Sequence, residues 1–245
     1  MIYMSGHSKW NNIKRKKEKT DAAKAKIFTK IGREISVIVK TGGANPNENS
    51  KLKDVIAKAK AANVPNDNIE RIIKKAAGDG EANNYEELIY EGYGPSGVAV
   101  VVETLTDNRN RTAGEMRHYF DKCGGNLGQS GSVMFMFDRK GLIRIEAEDL
   151  DEDAVMEAAL EAGADDFNLD GDVFEISTDP NELGAVRDVL EGNGYSFLSA
   201  EVEYVPQTMA TIDDEETAAK MEKLIDMLEE NDDVQAVWHN WEMEE

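Results

Sequence analysis

The sequence predicts an α+β protein: an N-terminal three-helix domain followed by two α/β domains, the last in the ferredoxin-like order β-α-β-β-α-β. Three observations predict it. Apolar residues recur at helical spacing through the first 80 of the 245 residues, whereas the remainder alternates short apolar runs, turn residues and further helical stretches. From Leu142 onward the order of those stretches is strand, helix, strand, strand, helix, strand. The charge also reverses between the two parts. Through Gly80 there are 18 basic and 8 acidic residues, a balance of +10; beyond it 10 basic stand against 41 acidic, a balance of −31, and the two make up the formal −21 of the chain.

In the basic part, Ile27, Phe28, Ile31, Ile35 and Ile38 recur at helical spacing, and Lys26, Lys30 and Arg33 follow at i, i+4 and i+7 on another face. Gly42 and Gly43 can end this helix, because glycine takes a left-handed backbone without a Cβ penalty. Asn49 and Ser50 open a second helix, with Leu52, Val55, Ile56 and Ala59 inside and Lys51, Lys58 and Lys60 outside. In the third, Asp67 and Glu70 read as a capping box ahead of the stripe Ile69, Ile72, Ile73 and Ala76. Lys74 and Lys75 suit its last turn and Gly78 its end. No helix-turn-helix signature is readable among the three.

A polar linker, residues 79–84, precedes strands at 88–91 and 98–103 joined through Gly92, Gly94, Pro95 and Gly97, then a helix at 111–123. The glycine-rich residues 124–131 lack the Gly-Lys-Ser/Thr ending of a phosphate loop and read as a flexible connection between domains. Strands at 133–137 and 142–146 flank Asp138-Arg139-Lys140-Gly141 as a turn. The ferredoxin-like stretch follows, and after Pro206 come a short strand, a helix with Met221, Leu224, Ile225 and Leu228 on one face, and a last strand at 234–241. A lone helix and strand cannot bury both faces, and the strands and helix before Gly124 are incomplete in the same way. The expected division is a basic helical domain 1–80, a middle α/β domain 81–131 completed by 207–245, and an inserted ferredoxin-like domain 132–206.

The basic end suits phosphates, whose counterions it would release on binding DNA or RNA. The acidic remainder would repel a polyanion beyond a Debye length of about 8–10 Å, which confines contact to the first third of the molecule. The candidate contacts are Lys9, Lys14, Arg15, Lys16, Lys17, Lys24, Lys26, Lys30 and Arg33, with Trp10 as a stacking ring. Burial in the core competes with stacking for Trp10 and Phe28, and a solvated helix face competes with phosphate contact for residues 14–17. Arg109 and Arg111 belong to the one basic island of the acidic part, where they extend such a surface or pair with nearby carboxylates. The acidic clusters at 149–153 and 213–216 sit at helix starts, where carboxylates favour the dipole; their other reading is a patch for a basic protein partner.

No catalytic, cofactor or metal site is expected. Residues 166–171, DFNLDG, match the opening of a calcium loop, but Ser177 stands where a bidentate Glu belongs and the flanks read as strands, so a tight hairpin is the better reading. His7, His118 and His239 are widely spaced, with no H-E-x-x-H, cysteine pair or nucleophile elbow. The single Cys123 fits a reducing cytosol, and no apolar run reaches the roughly 18–20 residues of a membrane span, so a cytoplasmic protein without membrane contact is expected.

The residues also carry a resemblance. MSGHSKWNNIKRKKEKTDAAKAKIFTKIGREI from Met4, GGANPNENSKLKDVIAKAKAANVPNDNIERIIKKAAG from Gly42, YEGYGPSGVAVVVETLTDNRNRTAGEMRH from Tyr90 and GGNLGQSGSVMFMFDRKG from Gly124 resemble the YebC/PmpR family of transcriptional regulators over nearly the whole chain. The one departure is the extra Met1 to Tyr3, read as an upstream start. The resemblance implies the same three-domain α/β arrangement and two roles: a DNA-binding transcriptional regulator, or a ribosome-associated translation factor that binds ribosomal RNA. The second follows from mitochondrial relatives that are translational activators and bacterial members that act on stalled ribosomes. A non-enzymatic protein with a nucleic-acid partner, DNA or ribosomal RNA, is the expectation.

Overall fold

The computed structural model describes residues 21–78 and 85–242. In chain order its elements are α1 (Asp21–Gly42), α2 (Ser50–Ala61), α3 (Asn66–Ala77), β1 (Glu86–Tyr93), β2 (Ala99–Thr106), α4 (Arg109–Lys122), β3 (Asn126–Leu127), β4 (Phe137–Glu146), α5 (Glu152–Glu161), β5 (Asp166–Asp170), β6 (Val173–Thr178), α6 (Leu183–Gly192), β7 (Ser199–Pro206), α7 (Glu215–Glu230) and β8 (Val234–His239). They group into two compact units. One holds the described residues up to Glu34 with Glu81–Asp138 and Tyr204–Glu245; the other holds Ile35–Gly80 with Arg139–Glu203.

The first unit is built on a four-stranded sheet of order β3-β1-β2-β8, in which the C-terminal strand pairs antiparallel with β2. β2 is apolar on both faces because both are covered. Val100 and Val102 cluster with Met116 and Phe120 of α4 and with Met221, Leu224 and Leu228 of α7, whereas Ala99 and Val101 cluster with Val133, Phe137 and Trp238. Burying each such large side chain stabilises the fold by about 1.5–3 kcal/mol.

The residues from Gly124 to Gly131 are not a flexible connection. Gly128 N–H donates to the Glu91 carbonyl at 2.8 Å, and the Glu91 carboxylate accepts from the N–H groups of Gly131 at 2.6 Å, Val133 at 2.9 Å and Met134 at 2.8 Å. Burial pushes the Glu91 carboxyl up, but the three backbone donors outweigh it and hold the group below the usual carboxylate range. A Cβ on Gly125 would lie 2.3 Å from the Tyr93 carbonyl oxygen, so this glycine permits a close backbone approach. The loop does cradle an anion, and that anion is the protein's own.

In the second unit the sheet order is β5-β6-β4-β7, the ferredoxin-like arrangement, with α5 and α6 burying Val155, Ala159, Val186 and Leu190 against Ile143, Ile145, Phe174 and Ile176. β5 and β6 close around Gly171, at φ +60°, with Asp170 paired to Val173; DFNLDG is a strand ending in a tight turn. Residues 138–141 do not form a turn between two strands either. β4 runs unbroken through them, and Gly141 is there because a Cβ would sit 2.3 Å from Thr178 Oγ1 on β6. After Pro206 the expected short strand is an isolated bridge between Ala210 and Trp241.

The helices of this unit keep most of their expected ends. Gly43, at φ +86°, follows α1, and Asn49 caps α2 by accepting from Leu52 N–H while its amide donates to the carbonyls of Ile38 and Gly43. The capping box on α3 is absent. Pro65 occupies the N-cap position at φ −58°, its carbonyl takes the N–H groups of Asn68 and Ile69, and the helix starts before Asp67. Asp151 and Asp214, from the acidic clusters, cap α5 and α7 by accepting from Ala154 and Thr217 N–H.

The opposite face of the ferredoxin-like sheet contains a buried charge cluster. Arg144 on β4 is 1 % exposed; its Nε donates to Glu175 at 2.9 Å, and its Nη1 and Nη2 donate to the two oxygens of Glu203 at 2.7 and 3.3 Å. One guanidinium cannot neutralise two carboxylates in a dry interior, so burial keeps the Glu175 carboxyl above its usual range despite Arg144. Arg144→Ala is expected to lower the unfolding free energy by about 3–5 kcal/mol, because it leaves both carboxylates uncompensated. The triple replacement Arg144→Met with Glu175→Leu and Glu203→Leu should recover most of that loss in urea titrations.

Candidate nucleic-acid interface

The predicted contacts divide sharply once placed in the fold. Lys9, Trp10, Lys14, Arg15, Lys16 and Lys17 lie outside the described residues, and Lys24 falls in the first turns of α1. Phe28 is half-buried on the same helix. Lys26, Lys30 and Arg33, at i, i+4 and i+7, all donate to the end of α7: Lys26 Nζ to the Glu230 carbonyl at 3.1 Å, Lys30 Nζ to the Glu229 carbonyl at 2.7 Å, and Arg33 Nη1 to the Asp232 carbonyl at 2.8 Å. Arg33 also reaches the Asp233 carboxylate at 3.0 Å and lies 5.6 Å from the centre of the Tyr85 ring.

The physical reason is visible in α7 itself. Its last turn carries Glu229 and Glu230 and no cation, so the negative end of the helix dipole is uncompensated from within. α1 supplies the missing cations from elsewhere in the chain.

Asp233 is the meeting point of this arrangement. Its carboxylate is buried and accepts from Arg33 Nη1, Arg111 Nη2 at 2.6 Å, Thr112 Oγ1 at 2.9 Å and Thr106 Oγ1 at 3.1 Å. Burial pushes its pKa up, but the hydrogen bonds from Arg111, Thr112 and Thr106 prevail and the group sits below its usual value. Arg111 also donates to Asp107 at 3.0 Å and is correspondingly held protonated. Of the basic island, then, Arg111 pairs with carboxylates, whereas Arg109 is exposed with no hydrogen bond or ion pair to any described residue. Arg109 opens α4, at the end of the helix where the dipole disfavours a cation.

Further exposed cations sit in the second unit. Lys40, Lys51, Lys60, Lys74 and Lys75 have no partner among the described residues, and Arg71 meets only Asn68 Oδ1 at 3.0 Å. Lys53 pairs with Asp188, and Lys58 lies 3.5 Å from Glu201. Charge counting along the sequence cannot separate these groups, because engagement depends on which carboxylate folding brings alongside.

No cluster of three or more His, Cys, Asp or Glu among the described residues is placed to hold a metal ion. His118 is exposed, while His239 is fully buried, its pKa pushed down to about 4 by desolvation and its Nδ1 accepting from Trp241 N–H at 3.3 Å. Cys123 is a buried member of the first unit's core, and burial pushes its thiol up. No helix among the described residues is long and apolar enough to cross a membrane.

Residues 8–79 match the model of the TACO1/YebC protein N-terminal domain, and residues 85–241 match that of the TACO1/YebC second and third domain. The chain belongs to the TACO1/YebC family. Within this family it is 63 % identical over 239 residues to a "Probable transcriptional regulatory protein" of Acetivibrio thermocellus, covering 97 % of this chain and 99 % of the relative. It is 61 % identical over 243 residues to a protein of the same description from Clostridium novyi, covering 99 % and 98 %. Its fold is similar to the crystal structure of a conserved hypothetical protein from Aquifex aeolicus, with a TM-score of 0.83, 48 % identity and 93 % of each chain covered. The mixed α+β architecture is thus that of a TACO1/YebC protein.

Because the Asp233 carboxyl is held below its unfolded value of about 3.9, its contribution to stability is fully present above pH 4 and lost as pH falls through the lower, folded value. Thermal unfolding followed from pH 6 to pH 2.5 should show Tm falling at the acid end, and Asp233→Asn should have a lower Tm at pH 6 with a flatter acid limb.

Proposed function

We propose that this TACO1/YebC protein is a non-enzymatic regulator that binds nucleic acid through the basic residues before Gly80, acting as a DNA-binding transcriptional regulator. The observation that carries this reading is the segregation of charge, +10 before Gly80 and −31 after it, which leaves one part of the chain able to neutralise phosphates. The descriptions of its relatives from Acetivibrio thermocellus and Clostridium novyi support the transcriptional side. Lys51, Lys60, Lys74 and Lys75, without a partner among the described residues, support phosphate contact, as does Arg109, a cation kept where its helix disfavours one.

A second reading, a ribosome-associated translation factor contacting ribosomal RNA, is favoured by the acidic field. The 41 acidic residues after Gly80 oppose wrapping along a duplex but could face basic ribosomal proteins. Both readings place phosphates on the basic end.

Replacing Lys14, Arg15, Lys16 and Lys17 with Gln should weaken binding to every sequence alike and reduce the slope of log K against log salt by about 3, at roughly 0.9 per contact on duplex DNA or 0.7 on single strands. Unfolding free energy should change by no more than about 0.5 kcal/mol. An unchanged slope would reject residues 14–17 as phosphate contacts. Sedimentation of cell lysate through a sucrose gradient separates the two readings: a transcriptional regulator stays near the top or with DNA, and a translation factor travels with ribosomes.

A further inference from the structure

We propose that the C-terminal end of α7 is an internal occupant of the basic face of α1, and that Lys26, Lys30 and Arg33 are handed over from it to a phosphate backbone when nucleic acid binds. This rests on the nucleic-acid reading above and adds its regulation: the face is not open in the free protein.

The geometry supports a handover in three ways. First, α7 presents a set of acceptors that imitates a phosphate strand. Three consecutive donors of α1 meet the carbonyl oxygens of Glu230, Glu229 and Asp232, with the Asp233 carboxylate beside the last. From Lys26 to Arg33 the helix rises about 10 Å at 1.5 Å per residue, close to three phosphate-to-phosphate steps of about 3.4 Å along one strand, so the three donors fall within the span of four phosphates.

Second, the contacts are exchangeable. Those of Lys26 and of Arg33 with the Asp232 carbonyl are solvent-exposed, and all three come from long side chains that can re-aim as α1 moves off α7. A polyanion carrying a full charge at each phosphate competes well against the carbonyl dipoles of Glu229, Glu230 and Asp232.

Third, the group left behind stays compensated. When Arg33 departs, Asp233 keeps Arg111, Thr106 and Thr112 as donors, so no buried charge is stranded. The carbonyls of Glu229, Glu230 and Asp232 can turn to water. The Glu229 and Glu230 side chains, at the negative end of α7, would then repel the arriving phosphates unless α1 moves away, which couples binding to release of the contact.

The test locks the contact in the full-length protein. Lys26→Cys with Glu230→Cys is bridged by a short bismaleimide, and the comparison is the same variant with both thiols capped singly; Cys123 is buried and does not compete for reagent. The probe is a single-stranded RNA 20-mer, with a duplex DNA 20-mer in parallel. If the handover operates, the bridged protein binds RNA about tenfold or more weakly at 0.1 M salt, and its salt slope is smaller by about 1.4, the share of two contacts, Lys30 and Arg33. Equal affinity and slope in bridged and capped proteins overturn the handover. The two proposals fail separately: if the Lys14 to Lys17 variant loses its expected slope while bridging changes nothing, only the handover falls. If the unmodified chain binds neither 20-mer, the nucleic-acid reading falls with it.

Discussion

Asp233 is the carboxylate on which the first unit converges. It stands between the end of α7 and the start of β8, and it gathers Thr106 from the end of β2, Arg111 and Thr112 from the first turns of α4, and Arg33 from α1. A buried carboxylate demands donors for its lone pairs, and here the four side-chain donors come from three separate places in the chain. Satisfying that one group therefore sets where α4 begins against the sheet and where the basic helix rests. The apolar contacts of the unit's core are non-directional; this one specifies position.

The same solution recurs at two other points. Glu91 is received by three backbone N–H groups of residues 131–134, which turns an apparently loose glycine-rich segment into a defined loop. Arg144 is held between Glu175 and Glu203 on the face of the sheet opposite the one that packs Ile143, Ile145, Phe174 and Ile176 against the helices. In each case a charged group gives up its water for partners with fixed geometry, a weak source of net stability but a strong penalty against any alternative register. An acidic chain uses some of its many carboxylates in this way, as internal ligands for its own donors.

The charge separation along the chain takes on a different meaning in that light. Read linearly, all the cations before Gly80 form one field. Among the described residues they separate: Lys26, Lys30 and Arg33 complete the end of an acidic helix, Lys53 and Lys58 meet Asp188 and Glu201, and Lys40, Lys51, Lys60, Lys74 and Lys75 have no described partner. The TACO1/YebC chain thus keeps some of its basic residues in contact with its own acidic part, and a phosphate backbone would have to compete for them.

By itself the sequence determined most of the elements and their order, because periodicity and turn chemistry are local; it misread residues 133–141, where a 3-10 turn at Met134–Met136 leads into one strand, Phe137–Glu146. The helices of the first 80 residues, the β-α-β-β-α-β stretch and the tight turn at Gly171 were all readable from spacing, glycine and caps. The need for the last helix and strand to find another sheet was readable too, since neither can bury its apolar side alone, and β8 lies beside β2. What only the tertiary structure decided are the pairings between distant residues. Gly141 looks like a turn residue and is a point of close strand approach; Gly124 to Gly131 look flexible and are fixed by Glu91, 40 residues away from Gly131. Lys26 and the Glu230 carbonyl are 204 residues apart, and no local pattern encodes that they meet. Charge and hydrophobicity along a chain state what each residue needs, but which partner meets that need is settled when the chain closes on itself.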